Sequence, residues 1–270
     1  MGQAGVVPTV DRVLAPAKLT RSLRVTGRRP DGYHLIAAEM VALDFADELE
    51  FSAGDGLEVV DAVHWVGAGG ADSVPFDVPI EENLVVRALE LVGRRAHVRL
   101  VKRIPPGAGL GGGSADAAAV LRWAGIEDLA LAARLGADVP FCLAGGRAMV
   151  QGVGEVVDSL DPVEVTVVLL TPSFGVSTAA VYAAFDEVGA PPPGSSTNDL
   201  EKAALAVEPR LARFRDLLGE VSRWQPSLAG SGATWFAEGA SHAASSVAGD
   251  LREAIVSEGM SAVVEVARTV

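Results

Sequence analysis

The residues from Pro105 to Asp116 run Pro-Pro-Gly-Ala-Gly-Leu-Gly-Gly-Gly-Ser-Ala-Asp, and five of the seven positions 107–113 are glycine. Glycine carries no Cβ and adopts positive φ without strain, so such a run lets several backbone N–H groups converge on one anion. A helix starting at Ser114 adds the positive end of its dipole, which makes the segment an anion-binding loop suited to phosphate. A flexible linker is the bland alternative, but linkers are Gly/Ser-rich over longer spans and are not gripped between a strand and a helix. Here His97–Ile104 alternates apolar Val98, Leu100 and Ile104 with charged Arg99 and Arg103, and Ala117–Trp123 is helix-prone.

Neighbouring residues narrow the kind of phosphate motif. A P-loop ends in Gly-Lys-Ser/Thr, whereas Gly113 is followed directly by Ser114. Gly107, Gly109 and Gly112 satisfy the dinucleotide spacing G-x-G-x-x-G, and Glu127 follows ~20 residues on. In that motif the acid ends a second strand. Glu127 instead opens the helical stretch Glu127–Leu135, where an acid suits the dipole, and Pro105-Pro106 fits the tight turn poorly.

Composition limits the partners. With 270 residues, 49% hydrophobic, the chain fills one large domain or two small ones sharing a cleft. A net charge of −13 gives nucleic acid no general attraction, while small anionic substrates need only a few placed N–H groups and cations. No run of about 18 apolar residues suggests a membrane span. Met1–Leu14 lacks a basic and an apolar leader region, and Val6 breaks the myristoylation pattern after Gly2. The lone Cys142 forms no internal disulfide and reads as a small buried hydrophobe, so a cytoplasmic protein is expected. His64, His97 and His242 show no metal-ligand spacing.

Lys18, Lys102 and Lys202 are the only lysines, every other cationic residue being arginine. A lysine retained in such a chain either does chemistry that a planar guanidinium does less well or is a surface residue. Tyr33 and Tyr182 are the only tyrosines.

The elements that must position these residues begin with short strands at Arg12–Ala15, Leu19–Thr26, Glu39–Leu43, Glu48–Phe51 and Leu57–Val60, followed by a helix over Glu81–Val92. The strand and loop described above lead to helices at Ser114–Ala124 and Glu127–Leu135, then strands near Arg147–Gln151 and Glu155–Val157. A turn over Asp158–Pro162 is the expected lobe boundary. Beyond it come a buried strand at Val163–Leu170, a helix at Thr178–Val188 and a proline-rich loop at Ala190–Ser196. Helices at Asp199–Val207 and Pro209–Val221 precede a second glycine turn, Ala229–Ala233, then a strand at Thr234–Ala237, a helix from Ser241 and a last strand near Ala262–Ala267. The pattern is α/β with no internal repeat.

Six segments occur in order across nearly the whole chain: Ala15–Leu19, Asp31–His34, Pro106–Ser114, Leu135–Phe141, Asn198–Leu200 and Gly230–Ala233. Taken together the chain resembles the GHMP kinase superfamily. The resemblance implies a two-lobed fold, a ribosomal-S5-like N-terminal lobe over 1–160 that binds ATP and a ferredoxin-like C-terminal lobe over 161–270. The implied cofactors are ATP and Mg²⁺. Gly-Tyr-His and Leu-Gly-Ala-Asp-Val-Pro are similar to the branch acting on a small cytidyl alcohol, implying phosphorylation of the 2-hydroxyl of 4-diphosphocytidyl-2-C-methyl-D-erythritol in non-mevalonate isoprenoid precursor biosynthesis.

Carried onto this sequence, the resemblance implies that Pro105, Pro106, Gly107, Ala108, Gly109, Leu110, Gly111, Gly112, Gly113, Ser114 and Ala115 wrap the ATP phosphates. Ser114 offers a hydroxyl to phosphate or metal. Asp138 is implied as the carboxylate beside the acceptor hydroxyl and Lys18 as its catalytic partner. On its residues alone Asp138, before Val139-Pro140, equally suits a helix N-cap. Tyr33 and Tyr182 would flank the cytosine ring and His34 read its edge, with Thr20 and Gly232 also on the acceptor side. Asp116 is either a helix-start acid or an aid to metal binding. Two positions depart from the pattern: Thr20 stands where asparagine is usual, and Ser114-Ala115 where many relatives have two serines. A sibling kinase for mevalonate, homoserine or a sugar, and a nucleotide-binding sensor without turnover, are the competing readings.

Overall fold

The computed structural model describes residues 10–67, 79–192, 194 and 196–270. The leader and myristoylation readings at Met1–Thr9, and Pro193 and Ser195 of the proline-rich loop, lie outside them.

Strands β1 (Asp11–Arg28) and β2 (His34–Ser52) form one long antiparallel hairpin, where the sequence suggests two short strands in each arm. Pairing runs through the apparent breaks because the register shifts at Pro16/Lys18, Thr20/Ser22 and Val25/Gly27. Irregularities of this kind absorb a residue such as Pro16, which has no N–H to donate, and re-aim the side chains beside them. Lys18 and Thr20 are two of those side chains, and both are buried.

Along its other edge β2 carries two partners in succession. β6 (Arg147–Gly152) pairs with residues 36–41, and β5 (His97–Lys102) pairs with residues 48–52. β3 (Gly56–Asp61) runs parallel to β5, and β7 (Val156–Ser159) closes the far edge of this 6-stranded sheet. The second sheet has 5 strands in the order β4 (Val66–Gly67), β11 (Ser261–Arg268), β8 (Thr166–Pro172), β10 (Trp235–Gly239), β9 (Ser227–Leu228). β4 therefore leaves the first half of the chain to pair with the last strand.

Helices α1 (Leu84–Val92), α2 (Gly112–Trp123), α3 (Leu129–Ala133) and α4 (Val139–Ala144) accompany the first sheet. Helices α5 (Thr178–Val188), α6 (Glu201–Val207), α7 (Leu211–Ser222) and α8 (Ser241–Ser257) follow, with α7 and α8 packed on the second. α2 is apolar nearly all round, with Ala115 and Ala117–Leu121 fully buried, so its small residues let it sit between β1, α1 and α4. Burying Val120 and Leu121 contributes about 1.5–3 kcal/mol each. α2 begins at Gly112, not Ser114, because Gly111 takes the left-handed conformation at φ 69° and starts the helix two residues earlier. α3 is shorter than expected: the Asp128 carboxylate, not Glu127, caps it by accepting from Ala130 N at 2.8 Å. No described helix is long and apolar enough to cross a membrane.

Candidate active site

The glycine loop is held from both sides. Lys18 N donates to the carbonyl of Leu110 (2.9 Å), and Thr234 N donates to that of Ala108 (3.1 Å). Its glycines serve close approach as well as backbone freedom. A Cβ on Gly109 (φ 78°) would lie 2.5 Å from the Gly232 carbonyl oxygen, and one on Gly111 would lie 2.6 Å from Lys18 Cγ. The first glycine loop thus packs directly against β1 and the second glycine turn.

Two cavities meet at this loop. One, of about 360 Å³, is lined by Pro105–Ser114 together with Asn83, Leu84 and Lys102. The other, of about 830 Å³, is lined by Lys18, Thr20, Asp138, Tyr182, Gly230 and Ser231, among others. Gly109, Gly111 and Ser114 face both. Clefts of these sizes suit small molecules, and two ligands in them would meet at the loop.

At that meeting point Lys18 Nζ lies 3.3 Å from Asp138 Oδ2 and donates to Thr20 Oγ1, also at 3.3 Å. Lys18 is nearly enclosed, whereas the Asp138 side chain keeps 34% of its surface exposed to the cleft. Asp138 occupies the N-cap position of α4, yet its side chain makes no capping bond. The carboxylate is turned to Lys18 instead. It also reaches Tyr182 electrostatically: burial, with the Asp138 charge adding to it, pushes the Tyr182 phenol up to about 12. Burial likewise drives the Cys142 thiol upward, which leaves it an inert packing residue.

Tyr33, His34 and Tyr182 line the larger cavity from two elements. The His34 ring stacks on Tyr182, with centroids 4.8 Å apart and planes at 20°, while Tyr33 is 65% exposed at the tip of the β1–β2 hairpin. Gly232 lies just behind the lining formed by Gly230 and Ser231, its carbonyl against Gly109. Three further features take their meaning only from the fold. Asp186 of α5 binds His34 Nε2 (2.7 Å) and Arg28 (3.1 Å). Buried Asn198 donates through Nδ2 to the carbonyls of Leu228 (2.8 Å) and Gly230 (2.7 Å), so the Asn-Asp-Leu segment braces the second glycine turn.

The third is a buried cluster beneath α2. Lys102 bridges Asp47 and Asp116, the latter at 2.7 Å. Asp116 is thus a paired interior acid. Burial pushes its carboxyl up to about 7 against the pull of Lys102, with the Asp47 carboxylate adding to the rise. The scarcity of lysine in the sequence was the one available pointer to Lys102. Among the described residues, no group of three or more His, Cys, Asp or Glu is arranged to hold a metal ion.

The description "GHMP kinases N terminal domain" matches residues 83–146, from the cap of α1 to the turn after α4. A 4-diphosphocytidyl-2-C-methyl-D-erythritol kinase of Paracoccus denitrificans is 38% identical over 249 residues, covering 85% of this chain and 87% of the relative. One from Pelotomaculum thermopropionicum is 38% identical over 262 residues, covering 83% and 87%. A crystal structure of 4-(cytidine 5'-diphospho)-2C-methyl-D-erythritol kinase superposes with a TM-score of 0.72 at 32% identity, covering 96% of this chain and 100% of that one. A homoserine kinase from Cytophaga hutchinsonii shares the fold, with a TM-score of 0.62 at 17% identity over 100% of this chain and 97% of its own. Relatedness at this level over nearly the whole length, together with a glycine loop set between two cavities, makes the chain a member of the 4-diphosphocytidyl-2-C-methyl-D-erythritol kinase family of GHMP kinases.

Proposed function

We propose that this chain transfers the γ-phosphoryl group of ATP to the 2-hydroxyl of 4-diphosphocytidyl-2-C-methyl-D-erythritol, a step toward isoprenoid precursors in the cytoplasm. The observation that carries the reading is the Lys18–Asp138 pair, set where the two cavities meet across the glycine loop. The smaller cavity takes ATP, with the phosphates on the backbone of Pro105–Ala115 and the N-terminus of α2. The larger takes the cytidyl alcohol. Residues 1–160 then act as the ATP lobe and 161–270 as the lobe that closes the acceptor side.

In the transfer, a bond forms between the acceptor oxygen and the γ-phosphorus as the bond from that phosphorus to the β,γ-bridging oxygen breaks, releasing ADP. Asp138 orients the acceptor hydroxyl and takes its proton late, as suits a weak base. The Lys18 ammonium, 3.3 Å from that carboxylate, keeps positive charge beside the acceptor oxygen. Thr20 holds the Lys18 ammonium through its hydroxyl, a role that replaces any direct contact made by a longer amide at this position.

Ser114 suits a Mg²⁺ ion that takes its remaining ligands from water and phosphate, because its hydroxyl side chain stands in the first turn of α2 facing both cavities. Mg²⁺ there would neutralise phosphate charge. Asp116, already paired with Lys102, is not needed for this.

The aromatic wall favours the cytidyl alcohol over mevalonate or homoserine, which give Tyr33, His34 and Tyr182 nothing to stack on. ADP release measured with ATP, Mg²⁺ and each alcohol in turn tests the choice. Turnover with the cytidyl alcohol alone is expected; efficient turnover of mevalonate or homoserine would overturn it, and ATP binding with no transfer would favour a sensor.

A further inference from the structure

His34 and Asp186 lie 152 positions apart in sequence and meet at the mouth of the larger cavity, His34 at the start of β2 and Asp186 on α5. His34 Nε2 is 2.7 Å from Asp186 Oδ1. Arg28 Nη1, at the end of β1, is 3.1 Å from the other carboxylate oxygen. The His34 side chain is 9% exposed, its ring stacked on Tyr182 and edge-on to Phe185.

Asp186 thus presents one carboxylate oxygen to His34 Nε2 and the other to the Arg28 guanidinium. An ionised carboxylate only accepts hydrogen bonds. The proton in the His34–Asp186 contact therefore sits on Nε2, and in the neutral ring Nδ1 is left as a bare acceptor. Nδ1 has no protein partner among the described residues, and His34 forms part of the cavity wall.

We propose that Asp186 is a positioning residue that fixes the tautomer of His34, so that Nδ1 accepts from the exocyclic amino group of a cytosine and rejects a uracil. The inference rests on the functional reading above and deepens it. Cytosine offers an amino donor where uracil offers a carbonyl oxygen, so an acceptor nitrogen at that edge pairs with one and faces a lone pair on the other. A buried polar group left unpaired by the wrong ligand is the strongest source of such discrimination. Stacking on Tyr182 keeps the imidazole plane in place, and Asp186 decides which of its nitrogens carries hydrogen. Asp186 touches no reacting atom and acts through His34.

The test compares full-length wild type, Asp186→Ala and Asp186→Asn. Each is measured with the cytidyl alcohol and its uridyl analogue, and with ¹⁵N–¹H correlation spectra of the His34 ring, assigned through His34→Gln. In wild type the Nε2–H tautomer is expected to dominate. Asp186→Ala should mix the tautomers, raise the cytidyl KM about tenfold with kcat within about twofold, and cut the cytidyl-over-uridyl preference about tenfold, the scale of one lost hydrogen bond. Asp186→Asn keeps an acceptor oxygen for Nε2–H while losing the charge that pairs Arg28, so it should restore most of the preference. An Nδ1–H tautomer or an imidazolium in wild type would overturn the inference, as would equal losses on both acceptors or an Asn variant no better than Ala. Should wild type phosphorylate neither acceptor, the functional reading fails, while the ring spectra still decide whether Asp186 sets the tautomer.

Discussion

Lys18 and Asp138 meet at 3.3 Å although one stands at a register shift in β1 and the other at the N-cap of α4. The pair is asymmetric in solvent, Lys18 enclosed and Asp138 facing the cleft. A carboxylate left open to the cleft beside a shielded ammonium has room for a third group. Lys18→Arg tests whether a compact ammonium is required. The nearly enclosed ammonium touches both Asp138 and Thr20, contacts that a longer, planar guanidinium cannot reproduce in the same place. Turnover is expected to fall by about 10²-fold with ATP binding retained, as read from steady-state rates and ATP titration calorimetry. A variant with wild-type turnover would make Lys18 an ordinary cation.

Gly111→Ala presses on the same spot from the other side. It forces a side chain into φ 69° and against Lys18, at a cost of about 1–2 kcal/mol for the backbone alone. Urea unfolding should show that loss, and turnover should fall further than the stability change explains. Gly125→Ala is the control: its φ is 76°, but nothing lies within 4 Å, so it should lose stability without a specific loss of turnover.

Tyr182→Ala removes the ring on which His34 stacks. Stacking contributes equally to ground and transition states, so KM for the cytidyl alcohol should rise more than kcat falls. An unchanged KM would remove Tyr182 from the acceptor site.

The Lys102 cluster sets a pH dependence of stability. The Asp116 carboxyl is raised from 3.8 to about 7 on folding, so between those values the folded chain holds a proton that the unfolded chain has released. Stability from this group therefore falls as pH rises through that window and is lowest above it. Asp116→Asn should flatten that slope between pH about 4 and about 7, measured by urea midpoints. Lys102→Met leaves two carboxylates facing each other in the interior, and a loss of about 3–5 kcal/mol is expected.

What the sequence disclosed follows from the range of each interaction. The glycine loop was legible because its reason is local: Gly107, Gly109 and Gly111 all take positive φ, and Gly109 and Gly111 leave no room for a Cβ. The long β1 and β2 arms read as fragments because their register shifts look like strand ends until the partner strand is seen. The start of α2 was misplaced because serine signals a helix cap, while here left-handed Gly111 starts the helix two residues earlier. Asp138 read equally as cap or catalyst, since the choice depends on Lys18, 120 positions away. Asp186 and Asp47 had no local pattern at all, and Asn198, Lys102 and Asp116 showed in the sequence without their partners, because each acquires its meaning from contacts brought together only by folding.

The most direct measurement follows γ-labelled ATP into the cytidyl alcohol for wild type and Asp138→Asn. Wild type should yield the labelled 2-phosphate and ADP in equal amounts. Asp138→Asn should form it about 10²-fold more slowly, or slower still, at unaltered ATP affinity, the scale of losing a general acid–base group. Label in no alcohol despite bound ATP, or full turnover by Asp138→Asn, would contradict the assignment of this cleft as a phosphoryl-transfer site built on Lys18 and Asp138.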